Sequence, residues 1–394
     1  MLFLTDILKK VLFESVADFG NPLTQQIRFG KETKPIVVWN VNEVCNMSCP
    51  HCYANAKKNK KNTKELSEEE SKRLLKKLWD YGVRVIIFSG GEPLIRKDIF
   101  SLIQFAIKLG FQCHLSTNGV LITKKTAKIL KELGVTYVGV SIDGLPEFND
   151  KYRGFPNGFF KATTGIRYLQ EYNISTGIRI TISKRNQSQL FPLLEYAEKN
   201  QINRFYISHL MYSGRGTSFF KEDLSFSEVR NLLIKVFDFA FELLKNHSNL
   251  KLVTGGNDVD GAFLYIYVYN RFGISKANAL FEFLEKRGGN SAGEKIINID
   301  PLGNVHPDQF FRNYTLGNLF QNSLEDIFQD ELIQKLRRRE EYLYECKDCF
   351  FLKICRGSHR ERALFLKNDL WAKDPACYLT NEERSLNYIK EVKV

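Results

Sequence analysis

Apolar positions along the chain follow two alternating patterns. Short, almost unbroken apolar runs occur at 36–41, 83–89, 112–116, 137–142, 176–182 and 204–210. Between them lie stretches whose apolar residues recur at helical spacing, such as 68–79, 99–109 and 124–133. Strands that are apolar on both faces and separated by helices point to repeated βα units around a parallel sheet. These units are too few for a closed eight-stranded barrel. The pattern therefore predicts an α/β fold, a partial (β/α)6 barrel with a smaller C-terminal domain. In such sheets ligands bind beyond the carboxyl ends of the strands, which draws attention to the residues just after each run.

Past residue 220 the pattern changes. Residues 226–245 read as one long helix and 258–287 as largely helical. Two extended pieces, 295–300 and 304–311, flank the turn Pro301-Leu302-Gly303-Asn304, and a helix over 324–338 follows. The expected organisation is an N-terminal helical segment (1–34), a catalytic core (35–220), a mostly helical linker or substrate region (221–300) and an auxiliary domain (301–394). At the start, Leu4, Leu8, Val11 and Leu12 share one helical face, which predicts a docking helix. Lys9 and Lys10 follow the apolar residues rather than precede them, so a secretory signal is not expected. No run approaches the roughly 18 apolar residues of a membrane span. A cytoplasmic protein without a membrane span is the expectation.

The 394 residues are 43% hydrophobic and carry a net charge of +12, from 57 basic and 45 acidic side chains. Much of the excess sits in 57–64 (KKNKKNTK), which reads as a solvated loop. The other reading of the charge is a partner rich in carboxylates or phosphates. No nucleic-acid-binding motif is present, so no nucleic-acid partner is expected.

Cysteine placement is more informative. Of eight cysteines, Cys45, Cys49 and Cys52 form one group and Cys346, Cys349, Cys355 and Cys377 another, with Cys113 alone. In a reducing compartment clustered cysteines indicate metal rather than disulfides. Three thiolates can hold a cubane cluster with one iron left open, whereas structural zinc wants a fourth ligand, for which His51 is the nearby choice. The four-cysteine group suits either a complete four-iron cluster or zinc. Ser89-Gly90-Gly91-Glu92-Pro93 follows the second strand run, Ser116-Thr117-Asn118-Gly119 the third and Ser141-Ile142-Asp143-Gly144 the fourth. Asn-Gly and Asp-Gly are also ordinary turn formers.

Taken together, these motifs resemble the radical S-adenosylmethionine (SAM) superfamily, whose signature is three cysteines at this spacing after a strand. The resemblance implies a SAM-binding [4Fe–4S] cluster on Cys45, Cys49 and Cys52, which act in catalysis. It implies that Gly90 and Gly91 lie against the methionine part of SAM, with Glu92 on its ammonium. His51, Asn118, Ser141, Asp143 and Arg179 are the other implied SAM contacts. The tail resembles the SPASM/twitch extensions of the superfamily, which implies a second, auxiliary [4Fe–4S] cluster on Cys346, Cys349, Cys355 and Cys377. A ferredoxin- or flavodoxin-type donor of low potential is the implied redox partner.

The C-terminal motifs narrow the resemblance further. They are 288–293 (GGNSAG), 303–310 (GNVHPDQF), 374–379 (DPACYL) and 212–216 (YSGRG). Over roughly 35–385 they are similar to the sirohaem-dependent haem biosynthesis group. Its members include a didecarboxysirohaem deacetylase, which gives iron-coproporphyrin III, and a d-type haem paralogue acting on propionate chains. The implied substrate is an iron-tetrapyrrole with several carboxylates. Arg215, His209, His306 and Asp308 are the candidate substrate residues, with Asp308 orienting His306. The alternatives are the d-type haem branch, a SPASM-type peptide maturase and, outside enzymes, a cluster- or zinc-containing tetrapyrrole-binding protein.

Overall fold

The computed structural model of the chain describes residues 1–13, 34–56, 58 and 64–385. Residues 14–33 of the expected N-terminal segment, and 57 and 59–63 of the lysine-rich loop, lie outside the described residues. The chain opens with β1 (Leu2–Phe3) and α1 (Leu4–Phe13). Then β2 (Ile36–Asn40), α2 (Glu68–Tyr81), β3 (Val85–Ser89), α3 (Ile99–Leu109), β4 (Gln112–Thr117) and α4 (Lys124–Leu133) alternate. They are followed by β5 (Tyr137–Ser141), α5 (Pro146–Arg153), α6 (Gly158–Glu171), β6 (Ser175–Thr181), α7 (Leu190–Lys199) and β7 (Arg204–Ser208). After α8 (Gly216–Phe219) and α9 (Phe226–Lys245) come β8 (Lys251–Gly255), α10 (Val259–Phe272) and α11 (Ile274–Arg287). The remainder is β9 (Ile296–Ile299), β10 (Asn304–His306), β11 (Gly317–Asn318), α12 (Leu324–Ile327), α13 (Glu331–Arg337), α14 (Leu352–Cys355), α15 (Arg360–Lys367) and α16 (Asn381–Arg384).

The six strands from β2 to β7 lie within two residues of the predicted runs at either end and pair in parallel, in chain order. A seventh parallel strand, β8, pairs with β7 and was not predicted. Of its five residues, Lys-Leu-Val-Thr-Gly, only two are strongly apolar, too short a signal to stand out. The sheet extends at both edges. β1 adds antiparallel to β8, and β9 adds parallel to β2 before turning back through β10 and β11. Trp39, Phe88, Leu115, Val138, Val140, Ile178 and Phe205 fill the strand core.

Helix boundaries follow local chemistry. Ser67 and Glu70 form a capping box at the start of α2, and Gly82 ends it in the left-handed conformation. The helical stretch 258–287 breaks into α10 and α11 at Gly273, whose φ of +84° leaves the helix. The expected helix 324–338 also breaks, because Asp330 caps a new start by accepting from Leu332 N and Ile333 N. The extended piece from 304 stops at His306, since Pro307 has no N–H to continue a ladder. As the amphipathic pattern predicts, α1 buries Leu4, Ile7, Leu8 and Val11, against α9 and β8. Each such side chain contributes roughly 1.5–3 kcal/mol on leaving water.

The seven consecutive parallel strands β2–β8 point their carboxyl ends to one rim. The loops that follow them carry the first cysteine group, Gly90, Gly91, Glu92, Asn118, Asp143, His209 and Arg215.

Candidate active site

The loop after β2 carries the first three cysteines, all free thiols. It is held chiefly by the tips of other strands. Arg215, after β7, donates through Nε to Cys49 O (2.8 Å) and through Nη1 to Ala56 O (2.6 Å), while its own N–H reaches Cys52 O (2.9 Å). Arg215 therefore clamps the loop, and its guanidinium does not stand free for a substrate carboxylate as expected. Arg153, at the end of α5, was not anticipated from the sequence. It is buried, donates to Asp143 (2.5 Å) and Met47 Sδ, and lies in the field of Cys49 and Cys45. Its only signal is a basic residue in the last turn of a helix, just before Gly154. Burial pushes the Cys49 thiol up to about 12, with Asp143, Cys52 and Cys45 adding to the effect against Arg153. Thiols so placed are costly to ionise without a metal partner.

Gly90 and Gly91 let the loop after β3 lie on the cysteine loop. Gly90 has φ +138°, and a Cβ on Gly91 would collide with Val44 O. Gly91 N donates to Asn42 O and Glu92 N to Val44 O (3.0 and 2.8 Å). Glu92 differs from its expected role on an ammonium. Its fully buried carboxylate already accepts from Thr117 Oγ1 (2.7 Å), Asn118 N (2.8 Å) and Leu94 N (3.1 Å), locking the β3 tip to the β4 tip. Asn118 Nδ2 donates to Asn46 Oδ1 (2.7 Å) beside Cys45 Sγ. Asp143 is likewise spent within the protein, on Arg153, Thr181 N and His51. His51 stacks on Tyr152 with ring centroids 5.2 Å apart, and its Nδ1 is buried without a partner. Ser141 ends β5 half-buried. Arg179 crosses the barrel interior over Gly139 to Ser116 Oγ (2.8 Å), and no carboxylate pairs with it among the described residues.

The second cysteine group is built from short turns of the tail. Cys346, Cys349, Cys355 and Cys377 are free and lie in one another's field, which, after burial, pushes Cys355 well above its ordinary range. Arg384 lies near Cys349, Cys377 and Cys346, and Arg360 near Cys346 and Cys355. Arg362 and Asp374, both buried, form a two-bonded pair (2.7 and 3.0 Å) that fixes the approach to Cys377. Burial alone would raise the Asp374 carboxyl, but Arg362 outweighs it and brings Asp374 down to about 2. Cys113 is a buried β4 residue.

Comparison with known proteins interprets this arrangement. Residues 39–197 match the radical SAM superfamily, and residues 291–350 match SPASM, an iron–sulfur cluster-binding domain. The chain is 39% identical to Fe-coproporphyrin III synthase of Methanosarcina barkeri, over 91% of both chains.

The chain belongs to the radical SAM superfamily.

It is also 36% identical to pre-heme d1 synthase of Dinoroseobacter shibae, over 89% of this chain and 87% of that one. In fold it is similar to Streptococcus suis SuiB bound to the precursor peptide SuiA, with a TM-score of 0.71 and 24% identity over 88% of this chain and 76% of that one. As a radical SAM enzyme it uses SAM and a SAM-binding [4Fe–4S] cluster, and its SPASM domain carries an auxiliary iron–sulfur cluster.

The residues present fit those groups. Three free cysteines with a buried cation beneath them suit an open-sited cubane, and four flanked by Arg360 and Arg384 suit a complete one. No three His, Cys, Asp or Glu side chains among the described residues converge enough to hold a single ion. Cluster thiolates each take a different iron and are spread accordingly. No described helix is long and apolar enough to cross a membrane.

A cavity of about 400 Å³ opens beside the radical SAM loop, lined by Tyr53, Ser213, Gly214, Asp300, His306 and Arg312 among others. Arg312 Nη1 donates to Ala54 O (3.2 Å) and has no carboxylate partner among the described residues. His306 is oriented by Tyr314 O at Nδ1 (2.8 Å), with Asp300 3.6 Å from Nε2. The expected partner, Asp308, instead accepts from Phe310 N and Phe311 N and faces His359. His209, after β7, holds Asp260 through Nε2 (3.0 Å). Burial opposes its protonation, but Asp260 outweighs burial and raises its pKa.

Proposed function

We propose that this radical SAM enzyme removes acetate side chains from an iron-tetrapyrrole, converting didecarboxysirohaem to iron-coproporphyrin III. The observation that carries the reading is the 39% identity to Fe-coproporphyrin III synthase, which spans core and tail alike. Two half-buried arginines, Arg179 and Arg312, lack carboxylate partners among the described residues and suit a substrate with several carboxylates. Arg179, on β6 with its side chain crossing β5 to Ser116 of β4, serves the carboxylate of SAM equally well.

In this reading Cys45, Cys49 and Cys52 hold the SAM-binding cluster, and Cys346, Cys349, Cys355 and Cys377 the auxiliary one. Bound SAM and reduced cluster supply a 5′-deoxyadenosyl radical for abstracting hydrogen from carbon. The chain's own contribution is positioning and exclusion of water. Arg215, Arg153 and the Gly90–Gly91 contact hold the cysteine loop still. Arg362 of the tail helix α15 donates through Nη1 to Leu210 O and Gly256 O and so ties the tail to the rim. A ferredoxin- or flavodoxin-type donor would deliver the electron, in the cytoplasm.

The second reading, removal of propionate chains on the d-type haem branch, is favoured by the 36% identity to pre-heme d1 synthase. One experiment separates the two. The anaerobically reconstituted enzyme is given dithionite, SAM and didecarboxysirohaem, and products are followed by mass spectrometry. Loss of acetate units matched by 5′-deoxyadenosine is the expected result. Loss of propionate-derived mass moves the enzyme to the second branch. SAM cleavage with the tetrapyrrole unchanged sinks the substrate assignment.

A further inference from the structure

We infer that His209 is the protein ligand to the iron of the tetrapyrrole substrate, its ring set by Asp260 and Tyr378; this rests on the iron-tetrapyrrole reading above. His209 directly follows β7, at the carboxyl-end rim, and its N–H is anchored on the O of Gly255 (2.9 Å), the last residue of the neighbouring strand β8. Its Nε2 lies 3.0 and 3.1 Å from the two oxygens of Asp260, which is fully buried. Asp260 Oδ1 in turn accepts from the buried Tyr378 hydroxyl (2.7 Å). A carboxylate held in this way takes the Nε2–H tautomer and leaves the Nδ1 lone pair unused. Among the described residues Nδ1 has no hydrogen-bond partner, and the side chain keeps 14% exposure. A ring with one nitrogen fixed on a buried carboxylate and the other open is the arrangement of metal-ligating histidines.

The other buried histidines at this rim are not arranged so. His306 has Nδ1 engaged by Tyr314 O and a buried Nε2 turned toward Asp300. His51 is stacked on Tyr152, with Nε2 toward Asp143 and Nδ1 sealed from solvent. His359 has Asp308 only at 3.8 Å from Nδ1, beyond hydrogen-bond reach, so nothing fixes its tautomer. Tyr378 adds a connection of its own, because it follows Cys377 directly. Two hydrogen bonds, Tyr378 to Asp260 and Asp260 to His209, thus link the residue after Cys377 to the proposed ligand, and Tyr378 acts as a positioning residue.

The test uses the full-length enzyme with both clusters assembled and oxidised, so that added ferric iron-coproporphyrin III dominates the EPR spectrum. Pulsed EPR is expected to show a histidine nitrogen on the iron that responds to ¹⁵N-histidine labelling. His209→Ala should lose that coupling, regain a nitrogen signal with added imidazole, and still bind metal-free coproporphyrin III as the wild type does. His306→Ala should keep the coupling. Asp260→Asn should weaken binding of the iron form by about 10-fold, the usual effect of removing such a carboxylate. Tyr378→Phe should keep the coupling with shifted g-values. Coupling retained in His209→Ala, or an iron in the wild type without any histidine nitrogen, overturns the inference and leaves the substrate reading standing. A wild type that takes up neither porphyrin overturns both. If His209→Ala fails to fold, the labelled wild type, His306→Ala and Asp260→Asn still decide.

Discussion

The two cysteine groups are held by opposite means. The first sits in a loop fastened from outside, by Arg215 from the β7 tip, by Arg153 from α5 and by the glycines of the β3 tip. The second is wrapped by its own neighbours in the chain, through short turns such as Cys349 N to Cys346 O and Cys355 N to Phe351 O, with Arg362–Asp374 fixing the last approach. A loop fastened by distant partners can present a three-thiolate face to a ligand. A segment that closes on itself gathers its four thiols through its own turns. On the reading proposed above, the difference suits the first group to chemistry and the second to electron storage or support.

The sharpest break of that comparison is to remove a cysteine from each side. Cys45→Ala should take SAM cleavage below detection, by mass spectrometry of 5′-deoxyadenosine, while the auxiliary cluster still gives its EPR signal on reduction. Cys346→Ala should retain measurable SAM cleavage and lose stability. If the two variants behave alike, the division of roles is wrong. The next effect lies in the tail. Arg362→Met leaves Asp374 buried without its cation and should cost about 3–5 kcal/mol in urea unfolding.

A third test uses pH. Burial, with Asp308 nearby, raises the Glu361 carboxyl from 4.5 to about 8. A group raised on folding favours the folded state most below its unfolded value, and that advantage is lost as pH rises through the folded value. Stability should therefore fall by up to about 1.4 kcal/mol per pH unit between about 4.5 and 8. Glu361→Gln should flatten that slope in unfolding curves taken from pH 5 to 9. A slope unchanged by the substitution would show that the acid is not buried as described. The smallest effect belongs to the first loop. Arg215→Ala removes charged hydrogen bonds to Cys49 O and Ala56 O and should cost about 1.5–3 kcal/mol. Its cost should appear mainly as iron lost from the first cluster, measured by metal analysis, rather than as a lower unfolding midpoint.

Much of this was legible in the sequence because periodicity and spacing are local properties. The six strands β2–β7, helices α3, α4 and α9, and both cysteine groups lie at or within a few residues of where patterning places them. What could not be read is which neighbour a polar side chain meets across the rim. Glu92, Asp143 and Arg215 sit in recognisable motifs, yet each is bonded to another strand's tip, and no spacing along the chain encodes that. Arg360, Glu361 and Arg362 mislead in the other sense. A charged triplet reads as a solvated face, but all three are buried: Arg360 donates to tail carbonyls, Glu361 accepts from Asn313 and Arg362 pairs with Asp374, while Arg360 Nε and Glu361 Oε2 stay without a partner. Asp308 lies two residues from His306 and was paired with it on that ground. Pro307 ends the strand between them, and the two side chains take different partners.

The ends of the sheet have a consequence for how this molecule lives among its copies. An open parallel sheet would normally offer two unsatisfied rims of backbone on which a neighbouring polypeptide could add. Here one rim finishes in β1 and the other in β11, each only two residues long and each running antiparallel to the strand beside it. Neither leaves a template long enough to recruit a stranger. The barrel can thus remain unclosed without the stickiness that an unclosed sheet usually brings.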